Sequence, residues 1–173
     1  RLAALLGAKF DARTVHAVDG VSLAVKHGEV LGLVGESGCG KSTLGRMIAG
    51  ILQKSDGEFL YEGVESAAWT PAEARQVQLQ VQMVFQDPMS SLNPRKRVRD
   101  TIGEAPRVHG IVARGEIEDY VADLMLKVGL DPAYKRRFPH QFSGGQRQRI
   151  GIARALAVKP RFVVCDEAVA ALD

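Results

Sequence analysis

Nine residues, Gly35-Glu36-Ser37-Gly38-Cys39-Gly40-Lys41-Ser42-Thr43, constrain this chain more than any other stretch. An apolar run, Val30-Leu31-Gly32-Leu33-Val34, leads into them, and a helix-compatible run from Thr43 to Ala49 leads out. The pattern is G-x-x-x-x-G-K-[ST] in a strand–loop–helix setting, which gives the motif its meaning. A triphosphate presents several negative charges, so binding it needs many donors with no side chains in the way. Glycines let backbone N–H groups converge on the phosphates, and the helix start adds its partial positive charge. Lys41 is expected to reach the β- and γ-phosphates, and Ser42 to offer its hydroxyl to Mg²⁺. The stretch implies a nucleoside-triphosphate site.

At 173 residues the chain has the length of one domain, enough for a real core. Apolar residues at 46% and charged residues at 25% are ordinary for a soluble domain. The net charge of +3 is too small to argue for nucleic acid. No apolar run approaches the length of a bilayer span, and the chain does not open on a signal-peptide pattern. Cys39 and Cys165 have no metal-ligand spacing, so two free thiols in a reducing compartment are expected. Arg1 stands first and Asp173 last, which reads as a fragment.

Along the chain, alternating Val15, Ala17, Val21, Leu23 and Val25 predict a hairpin over 14–25 with its turn at Asp19-Gly20. Gly50 is expected to end the helix after the phosphate loop. A short strand follows at Glu58–Tyr61, and Thr70-Pro71-Ala72-Glu73 is a capping box with proline at the first helical position. Val81–Phe85 reads as a strand ending at Gln86. From Asp87 to about Gln141 the texture becomes helical and polar. There Ile117, Val121, Leu124, Met125 and Val128 mark an amphipathic helix over 116–128. Residues 87–142 are therefore read as a helical insertion into an α/β core, and Arg95, Lys96, Arg97 and Arg99 as a solvated face or a contact for phosphate or a partner. A helix from Ser143 to about Val158 carries Ile150, Ala153, Leu156 and Ala157 on one side, and Phe162–Cys165 reads as a buried parallel strand.

Asp166 closes that apolar strand, where a carboxylate can hold Mg²⁺ through water beside Ser42. Glu167, pointing the other way if the strand continues, can polarise a water for attack on the γ-phosphate. Ser143-Gly144-Gly145-Gln146 makes a second anion cradle by the physics of the first. It is also the ordinary signature of a capped helix. One nucleotide cannot easily occupy both cradles of one chain, so a dimer in which this cradle closes on the partner's ATP is expected.

In order, Gly35–Thr43, Gln86, Phe142–Gln146, Val164–Glu167 and Ala171-Leu172-Asp173 resemble the five motifs of an ABC-transporter ATPase: the Walker A loop, Q-loop, signature, Walker B and D-loop. Within that family, Val84–Pro88 followed by Ser90–Arg95, Ala17–Ser22 and Phe142–Ala157 look like the ATP-binding subunits of oligopeptide and dipeptide importers. The resemblance implies an α/β P-loop NTPase with a parallel core sheet, an antiparallel β subdomain and a helical insertion. It implies one truncated ATPase domain over 1–173 that lacks its C-terminal part and the family's switch histidine, since His109 and His140 stand in the wrong places. It implies ATP and Mg²⁺ as ligands. Gly35, Ser37, Gly38, Cys39, Gly40, Lys41, Ser42 and Thr43 would hold the phosphates, and Ser42, Gln86 and Asp166 the metal. Glu167 would be the general base with Gln86 beside it; Ser143, Gly144, Gly145 and Gln146 would close on the opposing subunit's γ-phosphate, and Asp173 would reach across the dimer. Phe10 is the expected adenine-stacking residue.

The expected activity is ATP hydrolysis that powers an importer through dimer closure, most simply of peptides. The chain as it stands is expected to bind and hydrolyse ATP weakly. Expected partners are a second ATPase subunit in a homo- or heterodimer, transmembrane permease subunits and, indirectly, a solute-binding protein, without nucleic acid. The expected place is the cytoplasmic face of the inner membrane, as a peripheral subunit. A soluble ABC-type ATPase acting on DNA or ribosomes is the alternative. Phe142 replaces the commoner leucine of the signature, as is usual for the peptide-importer branch, Ala170 stands where that branch often has serine, and Ala168 replaces the usual proline, whose loss is expected to loosen the Glu167 carboxylate.

Overall fold

The computed structural model describes residues 16–87 and 91–167, and the chain divides into two compact units, Arg1–Leu44 and Gly45–Asp173. In the first unit, residues 16–34 form no strand. The expected hairpin over 14–25 is therefore absent where residues are described, and so is the strand over 30–34. Val30 and Val34 stand 97% and 94% exposed. A lone hairpin is marginal in water, and a parallel strand is stable only when covered on its faces and paired along its edges. These runs have the composition for strands and no ladder partner among the described residues.

Helix α1, Lys41–Ile48, begins where the phosphate loop ends. It stops as expected, with Gly50 at φ +70° and the Ile51 N–H donating to the Arg46 carbonyl at 2.8 Å. Strand β1 is Leu60–Tyr61, shorter than the predicted 58–61, and pairs antiparallel with β2, Val64–Glu65. Glu62 and Gly63, at φ +51° and +80°, make the two-residue turn between them. Helix α2, Pro71–Gln80, starts from the predicted capping box. The Glu73 N–H donates to Thr70 Oγ1 at 3.3 Å, and the Thr70 N–H to Glu73 Oε2 at 2.8 Å. Those bonds from Thr70, backbone first, hold the Glu73 carboxyl below its usual range.

Strand β3, Val81–Val84, pairs parallel with β4, Phe162–Cys165, in a register running from Val81–Phe162 to Val84–Cys165. The expected burial of β4 is not met: three of its residues are half-buried and Cys165 is exposed. Between these strands lie α3, Val98–Val108, α4, Ile117–Lys127, and α5, Gly144–Leu156, joined by short 3₁₀ turns. Helix α5 ends before the predicted 158, and Leu156 faces solvent rather than the core.

The core sits among these three helices. Val98, Ile102, Val121, Met125 and Ile150 are wholly buried, with Leu124, Leu130 and Phe142 beside them. The helical periodicity read over 116–128 thus marks the packed face. Gly103 lets α3 approach α4, because a Cβ there would lie 3.0 Å from Ile117 Cγ2 and 3.1 Å from Val121 Cγ2. Tyr134 meets Phe142 edge-on at 6.4 Å, and the Tyr120 hydroxyl donates to the Ala157 carbonyl at 2.8 Å. Among the described residues no helix is long and apolar enough to cross a membrane.

Ile102→Ala removes a wholly buried side chain from the middle of this cluster and should cost about 2–5 kcal/mol. Urea unfolding monitored by circular dichroism would reveal it as a lowered midpoint; an unchanged midpoint would mean that the cluster is not the core.

Candidate functional site

The loop from Gly35 to Gly40 turns tightly in the first unit. The Cys39 N–H donates to the Glu36 carbonyl at 3.4 Å, and Gly38 and Gly40 hold φ +81° and +98°. Gly40 is required twice over. Its backbone is left-handed, and a Cβ there would lie 2.3 Å from the Ala17 carbonyl oxygen. The Leu44 N–H closes the first helical bond onto the Gly40 carbonyl at 2.9 Å. The leading N–H groups of α1 therefore have no intrahelical acceptor and open toward the loop.

Lys41 folds back over the loop. Its ammonium donates to the Gly35 carbonyl at 2.8 Å and the Glu36 carbonyl at 2.7 Å, with Cys39 Sγ 3.8 Å away. The carbonyls hold a cation beside the glycines, where an incoming phosphate oxygen can compete for the same N–H groups. Gly35, Ser37, Gly38 and Cys39 are exposed; Ser42 and Thr43 are half-buried in the first turn of α1. Both cysteines are free thiols, as expected.

The second unit brings Gln86 and Glu167 together. Past the Val84–Cys165 rung, the Asp166 N–H still donates to the Val84 carbonyl at 3.0 Å, and then the two strands end. Gln86 Nε2 donates to Glu167 Oε2 across 81 residues of sequence. The expectation that Glu167 continues the strand and alternates away from Asp166 is corrected here. The chain turns instead, with Glu167 at φ +49°, a left-handed backbone that a non-glycine residue holds at a cost. Gln86 and Glu167 are exposed, and Asp166 is half-buried.

A magnesium ion takes hard oxygen donors and few protein ligands. With its amide N–H directed to Glu167, Gln86 keeps Oε1 as the metal-compatible atom; the Ser42 hydroxyl and Asp166 carboxylate are oxygen donors of the same kind. Each of these oxygens, Ser42 in the first unit and Gln86 and Asp166 in the second, is of the kind Mg²⁺ takes. Among the described residues no group of three or more His, Cys, Asp or Glu side chains is placed to hold a metal by itself.

Ser143 caps α5 in a reciprocal box. The Gln146 N–H donates to Ser143 Oγ at 3.2 Å, and the Ser143 N–H to Gln146 Oε1 at 3.0 Å. Ser143 and Gly144 are exposed, Gly145 and Gln146 half-buried, and Phe142 buried beneath the turn at 4%. Two residues of the same helix, not singled out by the sequence, grip the segment around Gln86. Gln148, only 3% exposed, donates through Nε2 to the Phe85 carbonyl at 3.3 Å, and Arg154 Nη1 donates to the Ser91 carbonyl. Burial pushes the Arg154 guanidinium below its ordinary value. Spacing could have found Gln148: with Gly151 and Ala155 it falls on one buried stripe of α5, where a glutamine needs a partner.

Arg95, Lys96, Arg97 and Arg99 line a groove of about 530 Å³ together with Arg107, Arg114 and Phe138. Lys96 pairs with Glu104, and Arg99 with Glu118 at 3.1 Å. A hydrogen bond from Lys135 at 2.8 Å keeps the Glu118 carboxyl below its usual range. Phe10 and Asp173, along with Ala168 and Ala170, lie outside the described residues.

Residues 18–170 match the family model described as ABC transporter. The oligopeptide transport ATP-binding protein OppF of Escherichia coli is 51% identical over 162 residues, 93% of this chain and 48% of the relative. AppF of Bacillus subtilis, likewise an oligopeptide transport ATP-binding protein, is 49% identical over 160 residues, 92% and 49% of the two chains. The chain spans about half the length of the curated relatives it matches. Among solved structures, the ATP-binding cassette MJ0796, described as a dimer in a post-hydrolysis state bound to ADP and Pi, superposes with a TM-score of 0.76 at 28% identity, covering 87% of this chain and 66% of that one. The cbiO1 protein of Clostridium perfringens, described as part of the ABC transporter complex cbiONQ, gives 0.74 at 29% identity over 91% and 61%. The superpositions agree with the expected fold class.

Gly40→Ala combines a strained φ with a collision against a backbone carbonyl that cannot rotate aside. It should weaken binding of a fluorescent ATP analogue by at least about tenfold, as expected of a strain near 2 kcal/mol. Unchanged affinity in that titration would show that the loop geometry is not what binds phosphate.

Proposed function

Because the chain belongs to the ABC transporter family, we propose that it is the ATP-binding and ATP-hydrolysing part of a subunit that powers an importer of oligopeptides or dipeptides. The observation that carries the reading is the hydrogen bond between Gln86 and Glu167, which sets an amide and a carboxylate side by side past the last rung of a parallel ladder. Ligands of open α/β sheets gather at such strand ends. The printed names of the relatives, oligopeptide transport ATP-binding proteins, support the importer over an ATPase acting on DNA or ribosomes.

In this reading Lys41 exchanges its loop carbonyls for phosphate oxygens, and the glycines from Gly35 to Gly40 with the first N–H groups of α1 line the phosphates. Ser42, Gln86 and Asp166 would be the residues that hold Mg²⁺. When bound, the metal supplies charge that draws electron density toward the β- and γ-phosphate oxygens. Glu167 takes a proton from a water as its oxygen attacks the γ-phosphorus in line. The bond from that phosphorus to the ADP oxygen breaks, and ADP and inorganic phosphate leave. The amide of Gln86 holds the Glu167 carboxylate in place for this step.

The Ser143–Gln146 turn closes on the nucleotide of a second subunit, and Asp173 reaches across the same junction. Residues 87–142 act as the helical insertion that meets a permease, and the whole sits peripherally on the cytoplasmic face of the inner membrane. A solute-binding protein delivers the substrate from the other side. Phe10 stacks on the adenine. ATP favours the closed pair of subunits, hydrolysis removes the phosphate that bridges them, and the permease follows that change of population.

In the intact transporter subunit, Glu167→Gln should keep ATP affinity while turnover falls by about 10²–10⁴. Size-exclusion chromatography should then find an ATP-trapped dimer. Wild-type turnover in that variant would remove Glu167 as the base. Lys41→Ala should abolish ATP binding by calorimetric titration, and retained affinity would defeat the nucleotide site itself.

A further inference from the structure

We propose that Gln148 is a positioning residue for the Gln86–Glu167 pair, tying the helix that begins at Ser143 to the segment that carries Gln86. The role rests on the hydrolytic reading above, while the tie itself is a matter of geometry. Gln148 is polar, 97% buried by its 3% exposure, and lies one turn into α5. Its Nε2 donates to the Phe85 carbonyl at 3.3 Å. Phe85 is the first residue past β3, where the ladder no longer fixes the backbone. The next residue, Gln86, is exposed and bonds Glu167, which itself sits past the last rung of β4 at a left-handed φ.

A peptide carbonyl held by a buried amide is restrained, because turning it would break that hydrogen bond in a setting where losing it is costly. The plane of the 85–86 peptide is the base on which the Gln86 side chain stands. Fixing that plane therefore fixes the direction from which Gln86 meets Glu167. Arg154, six residues further along α5, holds the other side of the same segment through the Ser91 carbonyl. One helix thus grips the chain on both sides of Gln86, and a shift of its Ser143 end is passed to the carboxylate through Gln148. Gln148 acts through the Phe85 carbonyl and is a positioning residue, not a catalytic one.

The test is Gln148→Met, which keeps the length and apolar bulk of the side chain and deletes the donor. In this chain, amide hydrogen exchange of residues 85–87 and 166–167 should speed up by about tenfold, while residues 144–156 keep their protection. In the intact subunit, kcat should fall by about tenfold with KM for ATP within twofold of wild type, as expected when a reacting group is misplaced rather than lost. Gln148→Lys, which restores a donor of similar reach, should recover part of the exchange protection. Unchanged exchange at 85–87 in the methionine variant would overturn the tie. Loss of protection along the whole of 144–156 would overturn it too, by making Gln148 a packing residue. If the wild-type subunit fails to hydrolyse ATP, the functional reading falls, and the exchange measurement alone decides whether the tie exists.

Discussion

Two parallel strands of four residues each decide what the larger unit can present to a ligand. Parallel rungs are evenly spaced, so the pairing of Val84 with Cys165 fixes which residues emerge side by side when the strands stop. Gln86 and Glu167 stand in matching positions, each two residues past that rung. A slip of one residue would set Gln86 against Asp166 and turn each side chain to the opposite face. The register is held by apolar pressure from below: Val81, Met83 and Val84 are buried, and Ala155 of α5 lies in the same small cluster as Val84. Pairing thus decides which side chains stand together at the strand ends.

The helices between these strands form a core of their own, built from Val98, Ile102, Val121, Met125 and Ile150. The other side of α5, with Gln148 and Ala155 buried on it, turns to β3. A buried glutamine or arginine on α5 must find acceptors, and the carbonyls of Phe85 and Ser91 supply one to each. Packing energy is thereby converted into position. The apolar stripes of α3, α4 and α5 set where α5 lies, and two side chains of α5 set where the segment after β3 lies.

What could be read from the sequence follows the range of the forces involved. The helix after the phosphate loop, the Thr70 capping box, the Gly50 stop and the α4 stripe are local, and each took the expected form, whereas the strand expected to lead into the loop did not. Ala17 was not foreseen as the reason for Gly40, because the contact spans more than twenty residues and depends on a carbonyl that any residue could supply. The Gln86–Glu167 bond is likewise invisible until the register is known. Alternation in Val21 and Leu23 and the run from Val30 to Val34 misled for the same reason. Apolar residues announce a face to be covered but not what covers it, and here those side chains are exposed. The reading of Glu167 failed on backbone geometry: alternation assumes that the strand goes on, and it ends at Cys165.

Ser143 admits a capped helix and an anion cradle as readings, and they are not rivals. The hydroxyl accepts from the N–H of Gln146, the third residue of the helix, and the Gln146 side chain answers the N–H of Ser143. That leaves the N–H groups of Gly144 and Gly145, the first two of the helix, without an intrahelical acceptor by construction. Glycine at both positions removes the side chains that would keep a phosphate at a distance, at a cost in helix propensity that a purely structural cap would have no reason to bear. A serine cap followed by alanines would start a helix better. The capping bond thus orients the turn, and the two glycines keep side chains away from it, so the cap does not rule out the anion cradle proposed above.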